Sequence, residues 1–290
     1  MHSFMIDKIN KILIEKIINN KKITYSKLLS DSFGINCFKF RTNENKNYIV
    51  KFYKNNQDAF NAIDSETKNL IFLNNLGLQS FPIVFSNNKN FLIISYIENN
   101  GLKPNDIHPD LLNAIIDLHM CTNSKFGFEF STQIGGLEQL NGLSENWIDF
   151  YRNNRLGYIF ELINSSNKMD DSINSKLESL LKNLENHIPK NPNISLLHGD
   201  LWEGNILFNE KKFVGFIDPG SFYGHNELEI AYLTWFNPSF IGKKFLERYN
   251  DIIKIDSEYK NYEPIYQLYY SLLNVYLWDR SYVLNTKQLL

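Results

Sequence analysis

The chain is predicted to fold as an α+β protein of two lobes, a small β-rich one over residues 1–97 and a larger, mainly helical one over residues 98–290. Three observations predict this. Strand-like runs, "KNYIVKFY" (46–53) and "FLIISYI" (91–97), fall in the first third of the chain. Helical spacing of apolar residues dominates beyond residue 110. Between the two lies "ENNGLKPND" (98–106), whose Gly, Pro and Asn mark a connector and put the natural cleft near residues 95–105.

Each element has its own pattern. In "MHSFMIDKINKILIEKIINNKK", Phe4, Ile9, Ile12, Leu13 and Ile17 give the apolar stripe of an amphipathic helix packed on the body. Asp7, Lys8, Lys11, Glu15 and Lys16 interrupt it too often for a signal-peptide core or a membrane span. In 46–53, Tyr48, Val50 and Phe52 share one strand face, while Ile49 and Lys51 share the other, so Lys51 projects from a mostly apolar strand. From Gln57 to Leu76, Phe60, Ile63, Leu70 and Leu73 predict a helix that carries Glu66.

Further helices are predicted at Leu111–Leu118, Trp147–Phe160, Ile173–Ile188 (stopped by "NPN" at 191–193) and Tyr266–Leu277. "ILF" and "FVGFI", separated by "NEKK", read as a hairpin embedded among them. No internal repeat or long linker divides the chain.

Composition bounds the function. With 290 residues, 43% of them hydrophobic, the chain can bury one large core or two moderate ones. A formal charge of -2, from 30 basic and 32 acidic side chains, gives no global field for nucleic acid or an anionic membrane, and neither is expected as a partner. Cys37 and Cys121 form no CxxC pair, which argues against a metal knuckle or disulfide framework and fits a reducing, cytoplasmic location.

The chemistry is concentrated in "SLLHGDLWEGNILF" (195–208). His198, Asp200 and Asn205 are arranged as H-x-D-x-x-x-x-N, the spacing of a kinase catalytic loop, and the hairpin then delivers Asp218 in "IDPG". Phosphoryl transfer needs a base or positioning carboxylate, oxygen ligands for magnesium, and a cation on the nucleotide phosphates. Asp200, then Asn205 with Asp218, then Lys51 can fill those jobs, and Glu66 can hold the Lys51 ammonium. Alone, Lys51 would be read as an edge-strand charge and the aspartates as turn residues; together, their order along the chain makes them a set. His198 is expected to serve the loop by hydrogen bonding, since Asp200 is the better-placed base. His119 is expected to pack or cap its helix, and His225 to lie near the cleft without a chemical role.

"LLHGDLWEGNILF" followed by "FIDPGSFYGHNELEIA" resembles the fructosamine kinase (ketosamine kinase) family, relatives of the aminoglycoside phosphotransferases within the protein-kinase-like fold. "KFGFEFSTQIGGLEQLNG", "NWIDFYRNNRLG" and "IYQLYYSLLN" extend the resemblance over nearly the whole chain. It implies transfer of the ATP γ-phosphate to a sugar hydroxyl, typically at C3 of a fructosamine or ribulosamine adduct of a small amine or a protein. The unstable product sheds its sugar, hence deglycation. Carried onto this sequence, it makes Asp200 the catalytic base, Asn205 and Asp218 the magnesium ligands, and Lys51, paired with Glu66, the phosphate contact. Ser95, Tyr96 and Ile97 become the adenine hinge, Gly34 part of the nucleotide loop, and Trp202 a wall of the sugar pocket.

Departures from the family pattern carry expectations of their own. The nucleotide loop reads "SDSFGIN", with Gly34 its only glycine, which allows for weaker or altered ATP binding. Glu227, Leu228 and Glu229 stand where the family has Glu-x-Asp, a position expected to be structural. "NVYLWDRSY" puts Val275 where the family has a histidine, so the substrate is expected to differ if that histidine holds the sugar. Cys37 lies just past the loop and, with no partner thiol, is expected to be a small buried hydrophobe rather than a redox device. Competing readings are a kinase of the same fold acting on an aminoglycoside or sugar derivative, and a nucleotide-binding pseudokinase with a scaffolding role.

Overall fold

The computed structural model of the protein describes residues 6–53, 60–166 and 169–290. Helix α1 (Lys8–Ile17) precedes a five-stranded antiparallel sheet built from β1 (Ile23–Ser32), β2 (Ile35–Thr42), β3 (Asn47–Tyr53), β4 (Val84–Asn87) and β5 (Phe91–Ser95) in the order β1-β2-β3-β5-β4. Helix α2 (Ala62–Asn75) is inserted between β3 and β4. Its first turn is capped by Asn61, whose side chain accepts from the Ile63 and Asp64 N–H groups.

Strand alternation gives the sheet two different faces. Tyr48 and Val50 point outward into a small core with Phe38, Phe40, Phe91 and Ile93, which α1 covers with Ile14 and, one residue past its end, Ile18. Lys51 points the other way, toward the cleft. The N-terminal helix thus forms as the periodicity predicts, but Ile12 and Leu13 are exposed, because the helix packs on its Ile14–Ile18 side. Phe4 and the Gln57–Ala59 start predicted for the next helix lie outside the described residues.

The second lobe begins with α3 (Pro109–His119), started by Pro109 at its first turn, and a short hairpin of β6 (Thr132–Ile134) and β7 (Leu137–Gln139). Next, α4 (Trp147–Tyr151), a π-turn at Arg152–Leu156 and α5 (Gly157–Ser165) take the place of the single helix predicted there. α6 (Asp171–Lys182) leads to β8 (Ser195–Leu197), then to the hairpin of β9 (Ile206–Asn209) and β10 (Lys212–Phe216) that the sequence predicts. β11 (Phe222–Gly224) pairs back onto β8. α7 (Asn226–Trp235), α8 (Phe245–Asn250), α9 (Tyr259–Leu277) and α10 (Val283–Leu289) close the lobe around a core centred on Trp147, Phe222, Tyr266 and Leu272. Among the described residues no helix is long and apolar enough to cross a membrane.

Candidate active site

Two neighbouring elements bring the first charges together. β3 presents Lys51 and α2 presents Glu66 from its second turn; Lys51 Nζ donates to Glu66 Oε1 and Oε2 at 2.6 and 2.8 Å. The same ammonium donates to Asp218 Oδ1 at 2.5 Å, across 167 positions of sequence. Burial works against the Lys51 charge, but Asp218 and Glu66 outweigh it and hold the ammonium above its ordinary value. Burial, with the Asp218 charge, holds the Glu66 carboxyl above its ordinary value against the pull of Lys51. Accepting two hydrogen bonds from the Lys51 ammonium, Glu66 is paired as a carboxylate.

The loop after β8 is held from below. Glu229 on α7 accepts from the His198 N–H (3.0 Å), the Gly199 N–H (2.7 Å) and His119 Nε2 (2.9 Å), all buried. Tyr249 fixes the His119 tautomer: its hydroxyl accepts from Asn226 Nδ2 (2.9 Å) and donates to His119 Nδ1 (2.7 Å), leaving Nε2–H for Glu229. Burial opposes ionisation of Glu229, but the hydrogen bonds donated by His119 Nε2 and by the His198 backbone N–H keep its pKa below the usual range. Gly199 sits at φ +85, and a Cβ there would fall 2.1 Å from the Gly220 carbonyl oxygen, so only glycine fits.

His198 is spent on the loop. Its Nδ1 accepts from the Asp200 N–H at 3.2 Å and its Nε2 donates to the Ile217 carbonyl at 3.0 Å. Burial lowers its pKa, which agrees with a neutral ring. His119 is buried at the end of α3 and packs rather than caps. His225 is buried too, with Nδ1 2.8 Å from the Tyr266 hydroxyl, and is not among the cleft-lining residues. The expectation that it lies near the cleft is therefore corrected: α7 turns it into the core against Trp147.

Asp200 and Asn205 face each other. Asn205 Nδ2 donates to the Asp200 carbonyl (2.8 Å) and to Asp200 Oδ2 (3.0 Å), and the Asn205 carbonyl accepts from the Ile217 N–H (3.0 Å). Burial, then the Asp218 charge, push the Asp200 carboxyl well above the usual carboxylate range. Asp218 adopts φ +56, a left-handed conformation uncommon outside glycine. Its segment is tied down on both sides: the Gly220 N–H donates to the His198 carbonyl (2.9 Å), and Asn69 on α2 makes a reciprocal pair with Ser221. In that pair the Ser221 N–H donates to Asn69 Oδ1 (3.0 Å) and Asn69 Nδ2 to the Ser221 carbonyl (3.3 Å). Asn69 therefore ties the Glu66 helix to the Asp218 segment.

Arg155, buried in the π-turn, holds that segment from the far side. Its guanidinium lies 3.8 Å from the Phe222 ring centroid and donates to Asn141 Oδ1 (2.7 Å), while Gln139 Nε2 donates to the Gly220 carbonyl (2.8 Å).

Lys51, Glu66, Asp200, Asn205 and Asp218 line one cleft of about 890 Å³. Its inner wall is apolar, with Ile35, Ile49, Ile94, Leu207 and Ile217 facing Ser95, Tyr96 and Ile97. The Ser95 hydroxyl accepts from the Ile83 N–H at 2.9 Å, and Lys39 Nζ lies 3.5 Å over the Tyr96 ring. Among the described residues, the Tyr96 and Ile97 N–H groups make no hydrogen bond, which suits a planar heterocycle edge. Cys37 is half-buried in this wall, and burial pushes its thiol up to about 11, the opposite of a reactive thiolate.

Gly34 is at φ +73 in the two-residue turn joining β1 and β2, a hairpin the sequence reading missed, and is itself outside the lining, whereas Ser32, Phe33 and Ile35 belong to it. Trp202 is 45% exposed at the mouth and its ring lies over Gly204. Val275 is buried in the core, so the loss of a histidine there does not alter the cleft wall; Asn274, Leu277 and Trp278 face the cleft instead. Phe33, Asn69, Tyr232, Phe236, Asn274 and Trp278 escaped the sequence reading. For Tyr232, Phe236 and Trp278 the signal available was the clustering of aromatic residues past "DPGSFYG" and at the end of α9; Phe33, Asn69 and Asn274 carried none.

The donor set suits a small hard cation. Asp218 offers a carboxylate, and Asn205, with its amide nitrogen spent on Asp200, has its amide oxygen to offer. Magnesium is commonly held by one or two such oxygens together with substrate phosphates.

A small antiparallel sheet with one buried Lys–Glu pair, set over a helical lobe that carries the Asp200 loop and the Asp218 segment, defines a two-lobed protein-kinase-like fold. An aminoglycoside phosphotransferase, APH(2")-IIa, solved with gentamicin, shares it at TM-score 0.67 and 19% identity, over 99% of this chain and 96% of that one. A protein from Haemophilus somnus 129PT assigned as a fructosamine-3-kinase superposes better, at TM-score 0.81 and 23% identity over 97% and 95%. The sequence profile described as "Fructosamine kinase" matches residues 5–290, and the chain belongs to the fructosamine kinase family. It is similar to a probable ketoamine kinase of Enterococcus faecium (35% identical over 62% of this chain) and to the chloroplastic protein-ribulosamine 3-kinase of Arabidopsis thaliana (30% over 66%). The matched region spans 65% and 58% of those proteins' lengths.

Proposed function

We propose that the chain transfers the γ-phosphate of ATP to a sugar hydroxyl, C3 of a ketosamine such as a fructosamine or ribulosamine adduct, and so initiates deglycation. The observation that carries this is the convergence of Lys51, Glu66, Asp200, Asn205 and Asp218 on one cleft, in a chain of this family. The names of its relatives, ketoamine kinase and protein-ribulosamine 3-kinase, support the acceptor class.

In this reading adenine enters the apolar slot against the Tyr96–Ile97 backbone, and Lys51 orients the phosphates while Glu66 keeps its ammonium in place. Asp200 accepts the proton of the attacking hydroxyl as its oxygen bonds to Pγ and the bond from Pγ to the bridging oxygen breaks, releasing ADP. The elevated Asp200 pKa suits a proton acceptor, and Asn205 aims the carboxylate. Bound through Asn205 and Asp218, magnesium would neutralise charge on the phosphates. The free thiols Cys37 and Cys121 are compatible with a cytoplasmic setting.

The test is ADP release from ATP and magnesium against a panel of ribulosamines, fructosamines and aminoglycosides, with Asp200→Asn as control. Ketosamine turnover that falls roughly 100- to 10,000-fold in the control is expected. Near-normal turnover in Asp200→Asn would remove Asp200 from its role, and turnover of aminoglycosides alone would replace the acceptor.

A further inference from the structure

We propose that the amine substituent of the acceptor is held in an aromatic vestibule formed by Trp202, Phe236, Trp278 and Tyr282 and roofed by Phe33, which selects low-molecular-weight ketosamines of apolar or aromatic amines. This rests on the ketosamine reading above and specifies which ketosamines.

The vestibule stands out by its exposure. Trp202 is 45%, Phe236 54% and Trp278 61% exposed, whereas Trp147 is fully buried. Exposed aromatics scattered singly need no explanation, but these line the same cleft as Asp200. They arrive from three directions: Trp202 from the loop after Asp200, Phe236 from the end of α7, and Trp278 and Tyr282 from the end of α9. Tyr232 lines the same cleft as Asp200, and its ring is fixed by stacking on Tyr270 with centroids 3.6 Å apart. Asn274 lies in the same wall and can hydrogen-bond sugar hydroxyls.

The charge fits an amine. A ketosamine carries a secondary ammonium next to its sugar, and such a cation is attracted to aromatic faces and to carboxylates. Asp200 and Glu203 line the same cleft, Glu203 in an ion pair with Lys103. Among the described residues the cationic side chain lining the cleft is Lys51, already engaged by Glu66 and Asp218.

The roof limits size. Phe33 and Gly34 form a two-residue turn with φ +50 and +73, and a phenylalanine at positive φ is strained. What holds Phe33 there is contact with the other lobe. Its ring meets Trp278 edge-on at 5.0 Å, and a Cβ on Gly136 would fall 2.6 Å from the Phe33 Cβ. The hairpin tip therefore rests on the β6–β7 turn and on Trp278, spanning one side of the cleft mouth. A small adduct can enter beneath this span; a lysine on a folded protein brings a surface that collides with it.

The experiment uses the full chain with ATP and magnesium, and compares kcat/KM for one ketose carried on benzylamine, on ethanolamine and on the lysines of a glycated protein. The benzylamine adduct is expected to exceed the ethanolamine adduct about 10-fold, and the glycated protein to be the poorest of the three. Trp278→Ala is expected to raise KM for the benzylamine adduct about 10-fold and erase the preference, with Trp278→Phe restoring most of it. Phe236→Ala makes the same test should Trp278→Ala not fold. Equal kcat/KM for the two small adducts in the parent chain, or a preference that survives both alanine variants, overturns the vestibule. Glycated protein turned over as fast as the benzylamine adduct overturns the roof. Turnover of another hydroxyl acceptor with no ketosamine turned over overturns the acceptor class, and this inference with it.

Discussion

Glu229→Gln is the substitution whose consequence can be worked out most fully. Two carboxylate oxygens accept three buried N–H groups, from His198, Gly199 and His119. Glutamine has the same shape but one oxygen. Placed where Oε2 was, that oxygen can still serve His198 and His119, but the new NH₂ then faces the Gly199 N–H across the position of a 2.7 Å hydrogen bond. The opposite flip sets the NH₂ against His198 and His119 instead. Either way at least one donor is left unpaired in the interior, at about 1–3 kcal/mol, and the remaining bonds lose their charge assistance, so a total loss of roughly 2–5 kcal/mol is expected. For a chain of this size that lowers Tm by on the order of 10 °C. Turnover should also fall, because the strained partner lies one or two residues from Asp200. Thermal unfolding and steady-state kinetics on the same preparation check both. A Glu229→Gln chain with unchanged Tm and unchanged kcat would refute the claim that this carboxylate organises the loop.

Three other outcomes follow from the same geometry. Asp218→Asn should steeply raise the magnesium concentration needed for half-maximal activity, and an unchanged magnesium titration would sink the ligand assignment. Asn69→Leu, similar in volume, strips the Ser221 N–H and carbonyl of their partner; it should raise the KM for ATP with magnesium as well as lower Tm, whereas a Tm change alone would make Asn69 merely structural. Burial, then His119, depress the His225 pKa to about 3. Its folded value lies below its unfolded one, so its contribution to stability is complete above about pH 6.5 and is lost as pH falls, by about 2 kcal/mol at pH 5. Denaturant midpoints between pH 7 and 5 should fall more steeply for the parent chain than for His225→Gln, and equal slopes would contradict the burial argument.

The parts of the site that were legible in the sequence are those whose chemistry depends on residue type and order. A strand lysine, a helical glutamate, H-x-D-x-x-x-x-N and a hairpin ending in Asp218 are local signals, and the fold places them on one cleft. The polar first strands were not legible: β1 reads "ITYSKLLSDS", with only Ile23 buried, and is held by pairing with β2 rather than by its own alternation. β8 and β11 are three residues each and are held by long-range pairing, with each other and with the Cys121 and Gly127 backbone. Nor could sequence say which side of a helix faces the cleft. Val275 attracted notice as a family departure, yet it is Asn274 and Trp278, a neighbour and the next turn, that reach the cleft.

The glycine-poor loop gains a different meaning from the same geometry. Read as a defect, "SDSFGIN" lacks glycines that let backbone amides approach phosphate. In three dimensions its phenylalanine occupies a position that usually suits asparagine, aspartate or glycine, and is held there by Trp278 and by two glycines of the opposite lobe. A loop evolved only to grip phosphate has no use for a strained aromatic at its tip, whereas a loop that also encloses the acceptor does. The departure in "SDSFGIN" and the aromatic "LWDRSY" at the end of α9 are thus two halves of one contact, so changing Phe33 or Trp278 alone should disturb acceptor selection before it disturbs the Lys51–Glu66–Asp218 cluster.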